Sequence, residues 1–122
     1  MWLVTKYGFF SSVNDGKQSD LQQIRARCAS HLECLQKAYP PIAQYPILTD
    51  AGTDYEARIK IPKEMWMSLS RFLSEDATTY HNFKDAAFYS GITKGYNYFL
   101  HEVWHLGVQL LSSVRNRYSA TK

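Results

Sequence analysis

Between positions 55 and 61, apolar and charged side chains alternate without a break. Tyr55, Ala57, Ile59 and Ile61 are interleaved with Glu56, Arg58 and Lys60. Successive side chains of a strand leave on opposite faces, so a period of two demands a strand with one face buried and the other in water. Such a strand needs a sheet covered on one side only. Pro62 suits the first turn of a following helix, because its missing amide would have no partner there. Met65, Leu69, Phe72 and Leu73 then recur at helical spacing, predicting a helix to about Glu75.

The first half of the chain has the same organisation. Residues Trp2 to Val13 are rich in β-branched and aromatic types, contain no acid or proline, and predict one strand. Asn14-Asp15-Gly16 follows, a hairpin turn signal because these residues tolerate positive φ. Ile24, Ala26 and Cys28 alternate with Gln23, Arg25 and Arg27, predicting a half-buried second strand. Ser30-His31-Leu32-Glu33 has capping-box spacing, placing a helix start at Ser30 and His31 at the surface. That helix should end near Tyr39, since Pro40-Pro41 cannot continue it. Ile47 to Thr49 predicts a short strand, at a sheet edge because of Pro46. Asp50 to Asp54 is a turn, and turn chemistry accounts for its acids. After position 75 the pattern predicts a loop, a short helix over 82–89, a break at 91–95 and a long helix from about Tyr96 to Arg117.

The expected fold is therefore α+β: a four-stranded, mainly antiparallel sheet built as strand-strand-helix twice, with helices on one face and a long C-terminal helix. With 122 residues, 45% of them hydrophobic, the chain is expected to form a single domain over 1–122. The expected core is Val4, Ile24, Ala26, Ile59, Ile61, Leu69, Phe72, Phe99, Val103, Leu106 and Leu110. The apolar runs are shorter than the ~20 residues a membrane span needs, and the opening Met1 to Lys6 lacks a basic region before an apolar one. A cytoplasmic protein without membrane association is the expectation, and Cys28 and Cys34 read as reduced thiols.

Several stretches carry a resemblance. They are Met1-Trp2 with Thr5-Lys6-Tyr7-Gly8-Phe9-Phe10-Ser11, Arg25-Ala26-Arg27, Ala51-Gly52-Thr53-Asp54-Tyr55, Ile61-Pro62-Lys63, Tyr80 with Asn82-Phe83-Lys84, and His101-Glu102-Val103-Trp104. Together they resemble a family of small uncharacterised bacterial proteins. The first stretch is the most specific, and the first hairpin loop is shorter here than the family pattern. The resemblance implies one unit over the whole chain. The family has no assigned activity, so no catalytic residue or cofactor is carried over.

His101-Glu102-Val103-Trp104-His105 matches H-E-x-x-H on the predicted last helix. Histidines at i and i+4 lie one turn apart and can both ligate zinc, with the glutamate acting as general base on the bound water. A small zinc hydrolase using His101, Glu102 and His105 is one functional alternative. Against it, a third ligand is required, yet residues 106–122 contain no His, Asp, Glu or Cys, leaving His81 or Asp85 upstream. On the helical wheel, Phe99, Val103, Leu106, Leu110 and Val114 share one face. The two histidines fall on the polar face opposite. The expectation is no metal, no cofactor and no catalytic residue.

What remains is surfaces. Arg25, Arg27, Arg58 and Lys60 must all leave the sheet on the side away from the helices; the first strand adds Lys6 or Tyr7, depending on register, with Phe10 nearby. Basic residues with rings on an open sheet suit an acidic protein partner or single-stranded nucleic acid, although outward strand positions are also charged simply for solubility. A second surface is the aromatic segment 80–99, where Tyr80, Tyr89, Tyr96 and Tyr98 could form a protein interface or a self-association contact. The expected function is a non-enzymatic binding or regulatory module recognising another macromolecule through the basic sheet face. The zinc hydrolase and a homo-oligomeric structural protein are the alternatives.

Overall fold

The computed structural model describes residues 1–49, 53–88 and 94–120. In chain order the elements are β1 (Trp2–Thr5), β2 (Gly8–Asn14), β3 (Leu21–Ala26), α1 (Ala29–Ala38), a 3-10 turn (Pro40–Ile42), β4 (Leu48–Thr49), β5 (Ala57–Pro62), α2 (Lys63–Ala77), α3 (Phe83–Phe88) and α4 (Lys94–Ala120). The chain divides into two compact units, Met1–Ile92 and Thr93–Lys122. The first contains an open antiparallel sheet of order β1-β2-β3-β5-β4 with α1 to α3. The second is α4.

The sheet has five strands where the sequence predicts four. The run from Trp2 to Val13 is two strands folded back at Lys6-Tyr7, pairing Val4 with Phe9 and Leu3 with Phe10. Thr5 makes this hairpin. Its Oγ1 accepts the Tyr7 amide at 3.1 Å and donates to the Gly8 carbonyl at 2.9 Å. Gly8 has φ +145°, a conformation L side chains avoid, and an added Cβ would meet the His31 ring and Cβ at 2.7 Å. Gly8 was the only punctuation in an otherwise strand-like run, which is why the turn escapes notice.

Alternation fixes the packing. Phe10, Ile24, Ala26, Ala57, Ile59 and Ile61 leave one face and are fully buried with Leu32 and Leu35 of α1, Ile42 of the 3-10 turn and Leu69 of α2. Met65, Trp66, Phe72 and Leu73 of α2 pack around that cluster. Both helices therefore cover the same face, and burial of this apolar area drives the first unit together.

Other expectations are corrected. Val4 is not core: it is 39% exposed, and Leu3 of β1 packs inward instead. Three consecutive apolar residues, Trp2-Leu3-Val4, leave the parity undefined by sequence. Helix α1 is not capped by Ser30. Its N-cap is Cys28, without a side-chain cap; Cys28 lies beyond the end of β3 at Ala26 and is exposed rather than pointing inward. Pro62 closes β5, paired with Leu21, and α2 starts one residue later.

In α4, Phe99 is half-buried, and every position from His101 to Arg117 is exposed. Val103, Leu106 and Leu110 are therefore not core residues. The expected turn at 50–54 and break at 91–95 lie largely outside the described residues. No helix among the described residues is long and apolar enough to cross a membrane.

Candidate functional site: the outer sheet face

The face opposite α1 and α2 is organised in register rows. Trp2 of β1 lies beside Ser11 of β2, Ser11 beside Arg25 of β3, Arg25 beside Arg58 of β5, and Arg58 beside Leu48 of β4. One row thus crosses all five strands. A neighbouring row holds Val13, Gln23 and Lys60. The ends of the long row are open, with Trp2 73% and Leu48 43% exposed. Phe9 leaves β2 on this face and meets Trp2 edge-to-face, with ring centroids 6.0 Å apart.

Like charges directly opposite each other on a sheet repel, so the Arg25–Arg58 pair needs compensation. Arg25 Nη2 donates to Ser11 Oγ at 2.9 Å, and its guanidinium lies 4.5 Å over the ring of Tyr55. Arg58 donates to Gln23 Oε1 at 3.3 Å and to Thr53 Oγ1 at 3.1 Å. Arg27, which is exposed, shares the Tyr55 ring at 4.9 Å and donates to the Asp54 carbonyl at 3.1 Å. Tyr55 and these oxygens orient the guanidiniums of Arg25 and Arg27 without cancelling their charge. The buried Arg25 Nε makes no hydrogen bond.

Lys60 is the exception. Its Nζ lies 3.3 Å from Asp15 Oδ1. Gln23 donates to the same carboxylate, and this hydrogen bond, ahead of the Lys60 charge, holds Asp15 below the usual carboxylate range. Asp15 is placed by its own turn. Asn14 Oδ1 accepts the Gly16 amide, Asp15 Oδ2 accepts the Gln18 amide, and Gly16 takes φ +82°.

Four of the five sequence-predicted basic residues, Arg25, Arg27, Arg58 and Lys60, thus share this face. Lys6 does not. It lies in the β1–β2 turn, 3.3 Å from Asp76 of α2, with its ammonium over the rings of Tyr7 and Tyr80. Phe10 is buried in the core, so the rings that β1 and β2 place on the outer face are Trp2 and Phe9. Tyr55 is also displaced from expectation. It is buried, yet its ring lies against Arg25 and Arg27, because β5 begins only at Ala57 and the strand parity does not extend back to it. Trp2, Ser11, Thr53 and Asp15 were not legible as site residues. Strand register reveals Trp2 and Ser11, and side-chain contacts with Arg58 and Lys60 reveal Thr53 and Asp15.

The described residues of the aromatic segment differ in exposure. Tyr80 is half-buried, tilted on Phe83, and burial followed by Asp76 raises its hydroxyl pKa. Tyr96 is buried and stacked on Phe99, whereas Tyr98 is 69% exposed. Tyr89 lies outside the described residues.

In the H-E-x-x-H stretch, His101 stacks on Trp104 and His105 lies 3.2 Å from Gln109; both histidines and Glu102 are exposed. His81 and Asp85 are exposed as well. Among the described residues no group of three or more His, Cys, Asp or Glu side chains is placed to hold a metal ion. His31, expected at the surface, is half-buried instead. Its Nδ1 accepts the Phe9 amide at 3.2 Å, and burial lowers its pKa.

No family model, curated protein or solved structure matches the chain.

Proposed function

We propose that this chain is a non-enzymatic binding module that recognises an anionic macromolecule on the outer face of its sheet. The observation that carries this reading is the in-register row from Trp2 to Leu48, in which Arg25 and neighbouring Arg27 are oriented by neutral groups and retain their charge. Cations that served only solubility would be solvated individually. Here two of them share one ring, and a third is fixed by Gln23 and Thr53.

Immobilised heparin, a polyanion, provides the test. The wild-type chain is retained at about physiological salt, and the double variant Arg25→Glu with Arg58→Glu elutes early, as does the exposed single variant Arg27→Glu. Circular dichroism checks that each variant is folded. A charge-matched control, Arg115→Glu with Arg117→Glu in α4, stays bound. Equal loss in the control, or no loss in the folded sheet variants, refutes the reading.

One observation favours a second reading. Val103, Trp104, Leu106, Val108, Leu110, Leu111 and Val114 are all exposed on α4. Contiguous apolar surface of this kind marks interaction sites, which supports self-association through α4.

A further inference from the structure

We propose that the ligand of the outer face is single-stranded nucleic acid, held by stacking of a base on Trp2 and by the guanidiniums of Arg25 and Arg27 on its phosphates. This deepens the reading above and rests on it. Charge alone would suit any polyanion, so the discriminating feature is Trp2. It is the most exposed aromatic residue of the sheet, at 73%, and it occupies the edge strand.

Phe9 and Trp2 meet edge-to-face, and with Trp2 still 73% exposed, area is left for a flat partner. The charged end of the row begins two strands away. At about 4.8 Å per strand, Trp2 and Arg25 stand roughly 10 Å apart, a separation that places a stacked base and neighbouring backbone phosphates on the same row. An acidic peptide would use the arginines and gain little from an isolated indole. A nucleic acid presents a π-face at every residue, and stacking on aromatic side chains is indifferent to sequence. A paired duplex keeps its bases stacked internally and offers Trp2 none.

The probe is a fluorescently labelled oligo(dT) or oligo(U) of about 12 nucleotides, read by anisotropy against the full chain. The expected result is binding of the single strands at least about 10-fold tighter than a duplex of equal length. Trp2→Ala weakens it roughly 5-fold to 100-fold, and Trp2→Phe restores most of the loss. Because Trp2 is exposed, the variant keeps its fold. The logarithm of affinity falls with the logarithm of salt at a slope of about −1.5 to −2, as two or three phosphate contacts require.

If heparin retention depends on Arg25 and Arg58 as above but oligonucleotides bind no better than duplex, or Trp2→Ala changes nothing, the inference fails while the binding face stands. If a polyglutamate peptide displaces the oligonucleotide at lower concentration than unlabelled oligo(dT) does, the partner is an acidic protein and the inference fails. If the arginine variants leave heparin retention unchanged, both fail.

Discussion

Strand β5 and helix α4 carry apolar patterns of similar clarity, and their fates differ. Ala57, Ile59 and Ile61 have no accessible surface, whereas Leu106 and Leu110 are 61% and 68% exposed. The difference lies in what each element can do alone. A strand cannot satisfy its backbone without neighbours, so the pairing that completes its hydrogen bonds also forms the surface on which helices close. A helix satisfies its own backbone, so its apolar stripe can persist with nothing over it. Period therefore identifies side chains that share a face. It does not say whether that face is covered.

The largest expected effect lies on the buried side of this comparison. Ile59→Ala should cost about 2–5 kcal/mol, because the sheet and helices cannot fully collapse into the space left. Chemical denaturation measures it, and a loss under about 0.5 kcal/mol would mean that β5 is no better covered than α4.

Gly8→Ala should follow, at about 2–3 kcal/mol. The substitution strains a backbone at φ +145° and drives a methyl into His31, which is itself tied to the Phe9 amide. A neutral result would show that the β1–β2 hairpin is dispensable to the covered face.

The parts of the fold readable in the sequence are those with strict alternation or strong punctuation. β5, the Asn14-Asp15-Gly16 turn, the inward pair Ile24 and Ala26, and the two-proline stop after α1 all fall in this group. The β1–β2 turn was hidden because its determinants are one threonine hydroxyl and one glycine. The outer face was legible in part for the same reason. Outward parity puts Arg25, Arg58 and Lys60 together whatever the register. Which aromatic joins them depends on that register, and Trp2 reaches the row only because β1 folds back on β2 and pairs Trp2 with Ser11. The period does not carry back to Tyr55, because β5 begins only at Ala57.

A smaller effect should appear in mild acid. Burial holds the folded-state pKa of His31 below its ordinary value near 6.5. The unfolded chain therefore takes up the proton first as pH falls, and the stability associated with neutral His31 is complete above about 6.5 and lost on the way down to the folded-state pKa. Protonating Nδ1 would also remove the acceptor for the Phe9 amide. Denaturation midpoints measured between about pH 7 and 5 should decline, and His31→Gln should flatten the decline. An unchanged slope in that variant would assign the acid sensitivity to other groups.

The smallest effect is expected on α4, and it sharpens the comparison most. Leu110 is large and apolar, and in a covered helix its truncation to alanine would cost about 2–5 kcal/mol. With the side chain 68% exposed, Leu110→Ala should change the stability of dilute protein by less than about 0.5 kcal/mol, within the range of ordinary surface substitutions. Protein concentration separates the two ways this could fail. If the wild-type melting temperature rises with concentration and that of the variant rises less, the stripe is buried by a second copy, and the cost of Leu110→Ala belongs to assembly. If the variant loses about 2 kcal/mol or more at every concentration, the stripe is covered within one chain, and β5 and α4 are alike after all.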